Sequence, residues 1–180
     1  MRALRVLTVV ALAWAVSAVR ADEIKSGPDT KIGGAFNVKA ITGEEKGKSL
    51  CYVCKFGAEA KPAVVLIFTQ KADDNLVSLV KAVDEVQKNN KDLGTVVVGI
   101  GGVEAADFDK IQETHKLTTP LTIAEDRDGP SKYNLNKEAA VTVLVYKKGG
   151  AISKNFAFKD TKSAAEKAKE IAEAAAAALK

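Results

Sequence analysis

Cys51 and Cys54 are the only thiols in the 180-residue chain, and they stand as a C-x-x-C pair within "KGKSLCYVCKFG". That spacing serves three chemistries: thiol-disulfide exchange, half of a metal site, or an inert disulfide. A bridge requires the two Cα atoms to lie about 4.4 to 6.8 Å apart, so Tyr52 and Val53 must turn rather than extend. The ring closed in this way is small and removes little loop entropy, which favours exchange over stapling. Lys46, Lys48 and Lys55 flank the pair, with no acidic residue between Lys46 and Gly57. At ~7 Å in water each cation favours a thiolate by about 0.6 kcal/mol, so three together are expected to lower a thiol pKa by about one unit from ~8.5.

The order of attack follows from alternation. Leu50, Tyr52, Cys54 and Phe56 share one face wherever the chain is extended, whereas Cys51 lies on the other side with Val53 and Lys55. Burial among large apolar side chains disfavours a thiolate. The expectation is therefore that Cys51 attacks and Cys54 resolves. A zinc site needs four ligands, and His115 is the only histidine, so carboxylates would have to complete it. His115 falls at the end of a predicted helix, where the terminal carbonyls account for it. Lys55 follows Cys54, so no C-x-x-C-H haem signature is present. No metal or organic cofactor is implied.

Both cysteines need an oxidising compartment for a disulfide to persist, and the first residues point to one. Arg2 and Arg5 precede an apolar run from Val6 to Val16 and the small-residue stretch from Ser17 to Ala21. This is the order of a secretory signal peptide, residues 1–21, with a cut after Ala21. The run is shorter than the roughly 20 apolar residues of a spanning helix, so no stable membrane insertion is expected after cleavage. Cleavage would remove three of the 27 basic residues and no acidic one, leaving 24 against 23, a net charge of +1. Such a balance offers no concentrated cationic face and excludes nucleic acid as an expected partner. The remaining 159 residues suit one domain.

Residues 22–34, "DEIKSGPDTKIGG", are polar and turn-rich and read as a flexible lead-in to a domain spanning 35–180. "AVVLIFT" and "GTVVVGIGG" are continuous apolar runs suited to strands buried on both faces. Between them Leu76, Val77, Leu79, Val80, Val83 and Val86 recur at helical spacing, behind the N-cap candidates Asp73 and Asp74. Residues 104–116 predict a shorter helix with Phe108 and Ile111 inward. Strand, helix, strand, helix implies a parallel pair joined by a right-handed crossover. A short strand follows Pro120, then a hairpin from "VTVLVY" and "AISKNFAF", and an alanine-rich helix from about Ser163. "GIGG" lacks both the G-x-G-x-x-G and Walker patterns and reads as a strand-end turn. "AEDRD" does not follow calcium-loop spacing and reads as a solvated turn.

The segments "PAVVLIFT", "VVVGIGG", "LTIAEDRDGPSKYNL" and "AVTVLVYKKGGAI" resemble the successive core segments of peroxiredoxins and other thioredoxin-like proteins. The resemblance spans roughly Phe36 to Leu179. It implies an α/β thioredoxin-like fold, a central mixed β-sheet flanked by helices. Members of that superfamily carry their reactive cysteine just after the first central strand; here that region reads "TQKADDN" and has none. Val141 stands where thioredoxins often have a cis-proline, and "KEAAVT" has no counterpart of the peroxiredoxin arginine. Ordinary peroxiredoxin chemistry is not expected at that location. The sequence thus points to an exported thiol-disulfide oxidoreductase acting through a displaced pair, Cys51 and Cys54, with a redox partner protein. The alternative is a non-enzymatic binding or scaffold domain that keeps the pair as a local disulfide.

Overall fold

The computed structural model describes residues 24–180. The expected signal peptide and its cut lie outside the described residues. Seven strands form one mixed sheet in the order β2-β1-β5-β4-β3-β6-β7. In chain order the elements are β1 (Val38–Ala40), β2 (Ser49–Leu50), α1 (Tyr52–Ala58), β3 (Ala63–Thr69), α2 (Asp74–Asn89), β4 (Leu93–Gly99), α3 (Ala105–His115), β5 (Leu121–Ala124), β6 (Val141–Lys147), β7 (Ile152–Phe158), α4 (Thr161–Glu166) and α5 (Ala168–Ala178). A single 3₁₀ turn, Ser131–Tyr133, lies between β5 and β6.

The apolar runs become central strands because both of their faces are covered. β3 pairs in parallel with β4 and antiparallel with β6, and every residue of β3 and β4 is buried. Alternation then divides the core. Val65, Ile67, Val97, Val143 and Val145 face α2, α3, α4 and α5, where Leu79, Val83, Phe108 and Ile171 pack. Val64, Leu66, Phe68, Val96, Val98 and Leu144 face the other way, toward Tyr52 and Phe56 of α1 and toward Tyr133. Phe36, Phe68 and Tyr133 close that side as an aromatic trio with ring centroids 5.1 to 5.8 Å apart.

Boundaries follow local chemistry. The Asp73 carboxylate accepts from the Leu76 N–H at 2.9 Å and starts α2. Lys116, in the left-handed region with φ 48°, ends α3 just after His115. Among the described residues no hydrogen bond involves the His115 side chain. The alanine-rich segment is two helices rather than one, capped by Asp160 and broken at Lys167.

Residues 24–34, read from sequence as a loose lead-in, are instead strapped to the body. The backbone of Ile24 donates to Ala157, and Ile32 and Gly150 share a bond at 3.0 Å. Ser26 is buried, with its hydroxyl 2.7 Å from that of Thr142 and accepting from Asn136 N. Asn155 donates to the carbonyls of Ser26 and Pro28. Polar, turn-rich composition signals surface position, but it does not reveal donors and acceptors waiting 100 residues away.

Candidate redox site

The cysteines lie at the start of α1. Cys51 is extended (φ −103°, ψ 104°) and serves as the N-cap, its Sγ accepting from the Cys54 N–H at 3.1 Å. Cys54, three residues on, is in the first turn. A helical turn brings the two Cα atoms to 5.2 Å, and the pair is closed as a disulfide. Tyr52 and Phe56, one turn apart, bury the opposite face of α1, their ring centroids 5.6 Å apart. Gly94 of β4 makes room for this seat: a Cβ there would lie 3.0 Å from the Phe56 ring. Burying Phe56 alone is worth roughly 1.5–3 kcal/mol. The entropy lost to so small a ring is about 2 kcal/mol. Packing therefore holds α1 in place at least as firmly as the cross-link does.

The helix overturns two sequence expectations. Alternation does not apply once Tyr52 begins a helix, and Cys54 is exposed rather than buried among Leu50, Tyr52 and Phe56. Cys51 is the half-buried member. The three flanking lysines are also not free to act on the sulfurs. Glu45, from the turn between β1 and β2, accepts from Lys48 at 2.8 Å and from Lys55 at 2.7 Å, while Lys46 pairs with Asp109 at 2.9 Å. Hydrogen bonds from Lys48 and Lys55 hold the Glu45 carboxyl down at about 2. These acidic partners largely neutralise the local cationic field, so the expected electrostatic activation of the thiols is not available.

The region after β3, where the resemblance places a reactive cysteine, is occupied by structural hydrogen bonds. Gln70 donates to the carbonyls of Lys137 and Ala139, and Asp73 accepts from the Thr161 hydroxyl at 2.6 Å. No peptide among the described residues is cis. The disulfide instead follows β2, the edge strand, four strand positions from β3. Among the described residues no cluster of three or more His, Cys, Asp or Glu side chains could hold a metal. No helix among them is long and apolar enough to cross a membrane.

Sequence reasoning missed β1, β2, α1, and the participation of Glu45 and Tyr52. Glu45 lies ten residues before Lys55, and nothing local marks the pairing. Tyr52 is 4% exposed, and its hydroxyl is buried without a hydrogen-bond partner among the described residues. Burial, reinforced by the nearby charges of Glu45 and Glu44, pushes its pKa up to about 12, so it remains a proton donor.

No family model and no curated protein matches the sequence. Solved structures do match its shape. A secreted thiol-disulfide isomerase from Corynebacterium glutamicum superposes with TM-score 0.59 at 12% identity, over 91% of this chain and 95% of that one. A protein assigned as the thiol:disulfide interchange protein DsbE of Chlorobium tepidum gives 0.57 at 14% identity, over 87% and 99%. Peroxidoxin BcpB from Mycobacterium tuberculosis gives 0.54 at 14%, over 83% and 97%. At such identities the likeness concerns the fold. A disulfide between Cys51 and Cys54 on such a domain fits a redox-type function. The mixed seven-stranded sheet, its helical flanks and these superpositions give the chain a thioredoxin-like α/β fold.

Proposed function

We propose that this protein carries out thiol-disulfide exchange through Cys51 and Cys54. The observation that carries the reading is an exposed Cys54 in a disulfide that spans only three residues, on a helix already held by its own packing. A partner thiolate attacks the Cys54 sulfur, forming a mixed disulfide and expelling Cys51 as the thiolate. The Cys54 N–H points at the Cys51 sulfur and stabilises the charge it acquires. A second thiolate of the partner then attacks the partner's own sulfur in the mixed disulfide. Cys54 leaves as a thiolate and takes up a proton; the partner is oxidised by two electrons and this protein is reduced. Access thus makes Cys54 the exchanging sulfur; in the reverse direction, where reduced Cys54 attacks a partner disulfide, Cys51 resolves the mixed disulfide, which reverses the assignment that alternation suggested.

The test is the reduction potential of the pair, measured by equilibration with glutathione or dithiothreitol buffers. A value in the range of exchange proteins, roughly −120 to −270 mV, is the expected result. One below about −300 mV would mark a structural bond and favour the scaffold alternative.

Export is part of the same proposal, supported by the order of Arg2, Arg5, the apolar run and the small residues before Asp22. Among the neighbours in shape, the Corynebacterium protein is described as secreted. Intact mass of material collected outside the cytoplasm is expected to correspond to a chain beginning at Asp22. Material retaining Trp14 would refute the cleavage.

A further inference from the structure

A groove of about 260 Å³ lies along the flank of α1, between that helix, the stretch from Lys31 to Gly34 and the turn that joins β6 to β7. Its wall and floor are apolar, from Ile32, Val53, Phe56, Val64 and Tyr146. Ile32 and Val53 are only half-buried, so apolar surface stays open there. Cys54 borders the groove without lining it. It stands one residue after Val53 and three before Gly57, both of which do line it. Positions three apart on a helix are neighbours, about 5–6 Å between Cβ atoms. A chain seated in the groove therefore passes beside the exposed sulfur.

Gly57 is the residue on this flank that folding does not explain. It lies inside α1 without a positive φ, and glycine is among the poorest helix formers. A Cβ there would meet nothing within 4 Å. The left-handed position that glycine would suit, three residues later, is held by Ala60 at φ 55°. What the missing side chain does is keep the groove open next to Cys54, as the close approach of another backbone requires.

Charge selects the class of chain. Lys31, Lys61 and Lys148 line the groove, and no carboxylate does. Backbone hydrogen bonds tie their segments together: the Lys148 N–H donates to Pro62, next to Lys61, and the Ile32 N–H, next to Lys31, donates to Gly150. Lys31 and Lys148 are exposed and make no ion pair among the described residues. Lys61 donates to the Lys91 carbonyl and has one carboxylate near it, Glu59 at 3.8 Å. Three cations around an apolar floor complement a segment that carries acidic and apolar residues.

We propose that this groove docks an extended segment of the partner protein, acidic and apolar in composition, and presents a cysteine within it to Cys54. The proposal rests on the exchange reading and adds the chemistry of the partner. The docked cysteine supplies the attacking thiolate of the exchange step, whose electron balance is unchanged.

The oxidised full chain is titrated with a capped peptide of alternating glutamate and valine with serine at its centre, and with the counterpart in which lysine replaces glutamate. The amide resonances of Val53, Gly57 and Gly149 are followed, and phosphatidylglycerol vesicles are the arm for an anionic lipid surface. The expected result is saturable shifts with the glutamate peptide alone, weakening as salt is raised. Affinity is expected to fall about 2- to 20-fold when Lys31→Gln and Lys148→Gln are combined, as loss of two exposed ion pairs requires. Gly57→Leu is expected to abolish saturation by filling the groove, and its Cβ has room, so the variant is expected to fold. With cysteine in place of the central serine, the glutamate peptide is expected to reduce the disulfide faster than glutathione at equal thiolate concentration, and the serine peptide to suppress that gain. Equal affinity for the two peptides, binding undiminished in Gly57→Leu, saturation by vesicles but by neither peptide, or exchange with glutathione that the peptide does not better would overturn the proposal. Binding of the serine peptide with no exchange by either thiol would instead remove the exchange reading, and with it the partner cysteine.

Discussion

Asp84→Ala is expected to cost about 3–5 kcal/mol of folding stability, a large share of the roughly 5–15 kcal/mol that holds a typical domain folded. The side chain is 1% exposed and lies on the face of α2 that looks toward the turn before β5. Its carboxylate accepts from the backbone N–H and hydroxyl of Thr118, at 3.0 and 2.6 Å, and from those of Thr119, at 2.7 and 2.8 Å. Lys88, one turn along α2, adds an ion pair at 3.1 Å. Removing the carboxylate leaves several donors without an acceptor, two of them on Thr119, which is fully buried. Lys88→Ala, by contrast, is expected to cost little, because that ammonium is exposed to solvent. Urea titrations of both variants check the pair. A loss below about 1 kcal/mol in Asp84→Ala would show that Thr118 and Thr119 find acceptors elsewhere.

The same residue sets part of the acid limb of stability. Burial by itself would raise the Asp84 pKa, but the hydrogen bonds from Thr118, Thr119 and Lys88 outweigh it and the net shift is downward. A carboxyl whose folded pKa is below its unfolded value stabilises the fold at any pH above the ordinary Asp range. That stability drains away as pH falls through the unfolded and then the folded pKa. Unfolding free energy is therefore expected to decline below about pH 4, and the decline to be shallower in Asp84→Asn.

Cys51→Ser and Cys54→Ser are both expected to bring disulfide exchange down to the uncatalysed background, because the two-electron step needs both sulfurs. They are expected to differ in what they trap. With Cys51 replaced, exposed Cys54 forms a mixed disulfide that nothing resolves, and the covalent adduct accumulates. With Cys54 replaced, the half-buried Cys51 yields far less adduct. Serine is itself a favoured N-cap, so Cys51→Ser keeps α1 capped, and its loss of turnover is not a loss of the helix. Incubation with an aromatic disulfide followed by intact-mass measurement reads the adducts directly. Equal trapping, or trapping only in Cys54→Ser, would restore Cys51 as the exchanging sulfur. Turnover surviving in Cys54→Ser would remove the exchange proposal itself.

What this sequence determines alone is whatever rests on period and on neighbours along the chain. Residues 63–69 and 94–102 read as doubly buried strands because nearly every position is apolar or small, the second running Leu93–Gly99 in the structure, and α2 because Leu76, Leu79, Val80 and Val83 return to one face. Asp73 caps α2 through a bond only three residues long. The hairpin of β6 and β7 is legible for the same reason, its turn set by Gly149 and Gly150 at positive φ. The fold class follows from the order of these elements. Tertiary structure decided everything that depends on which distant group arrives. The identity and spacing of Cys51 and Cys54 were on the page, but their exposure was reversed, because a seven-residue helix replaced the extended chain that alternation assumes. The lysines beside them were visible, yet Glu45 and Asp109, which neutralise them, come from other elements. Asp84 looked like one more charge on a helix until Thr118 and Thr119 were brought against it across 34 residues. Local pattern reports what a residue prefers to bury; a pairing between charges or polar groups far apart in sequence has no period, and it exists only once the chain has closed around it.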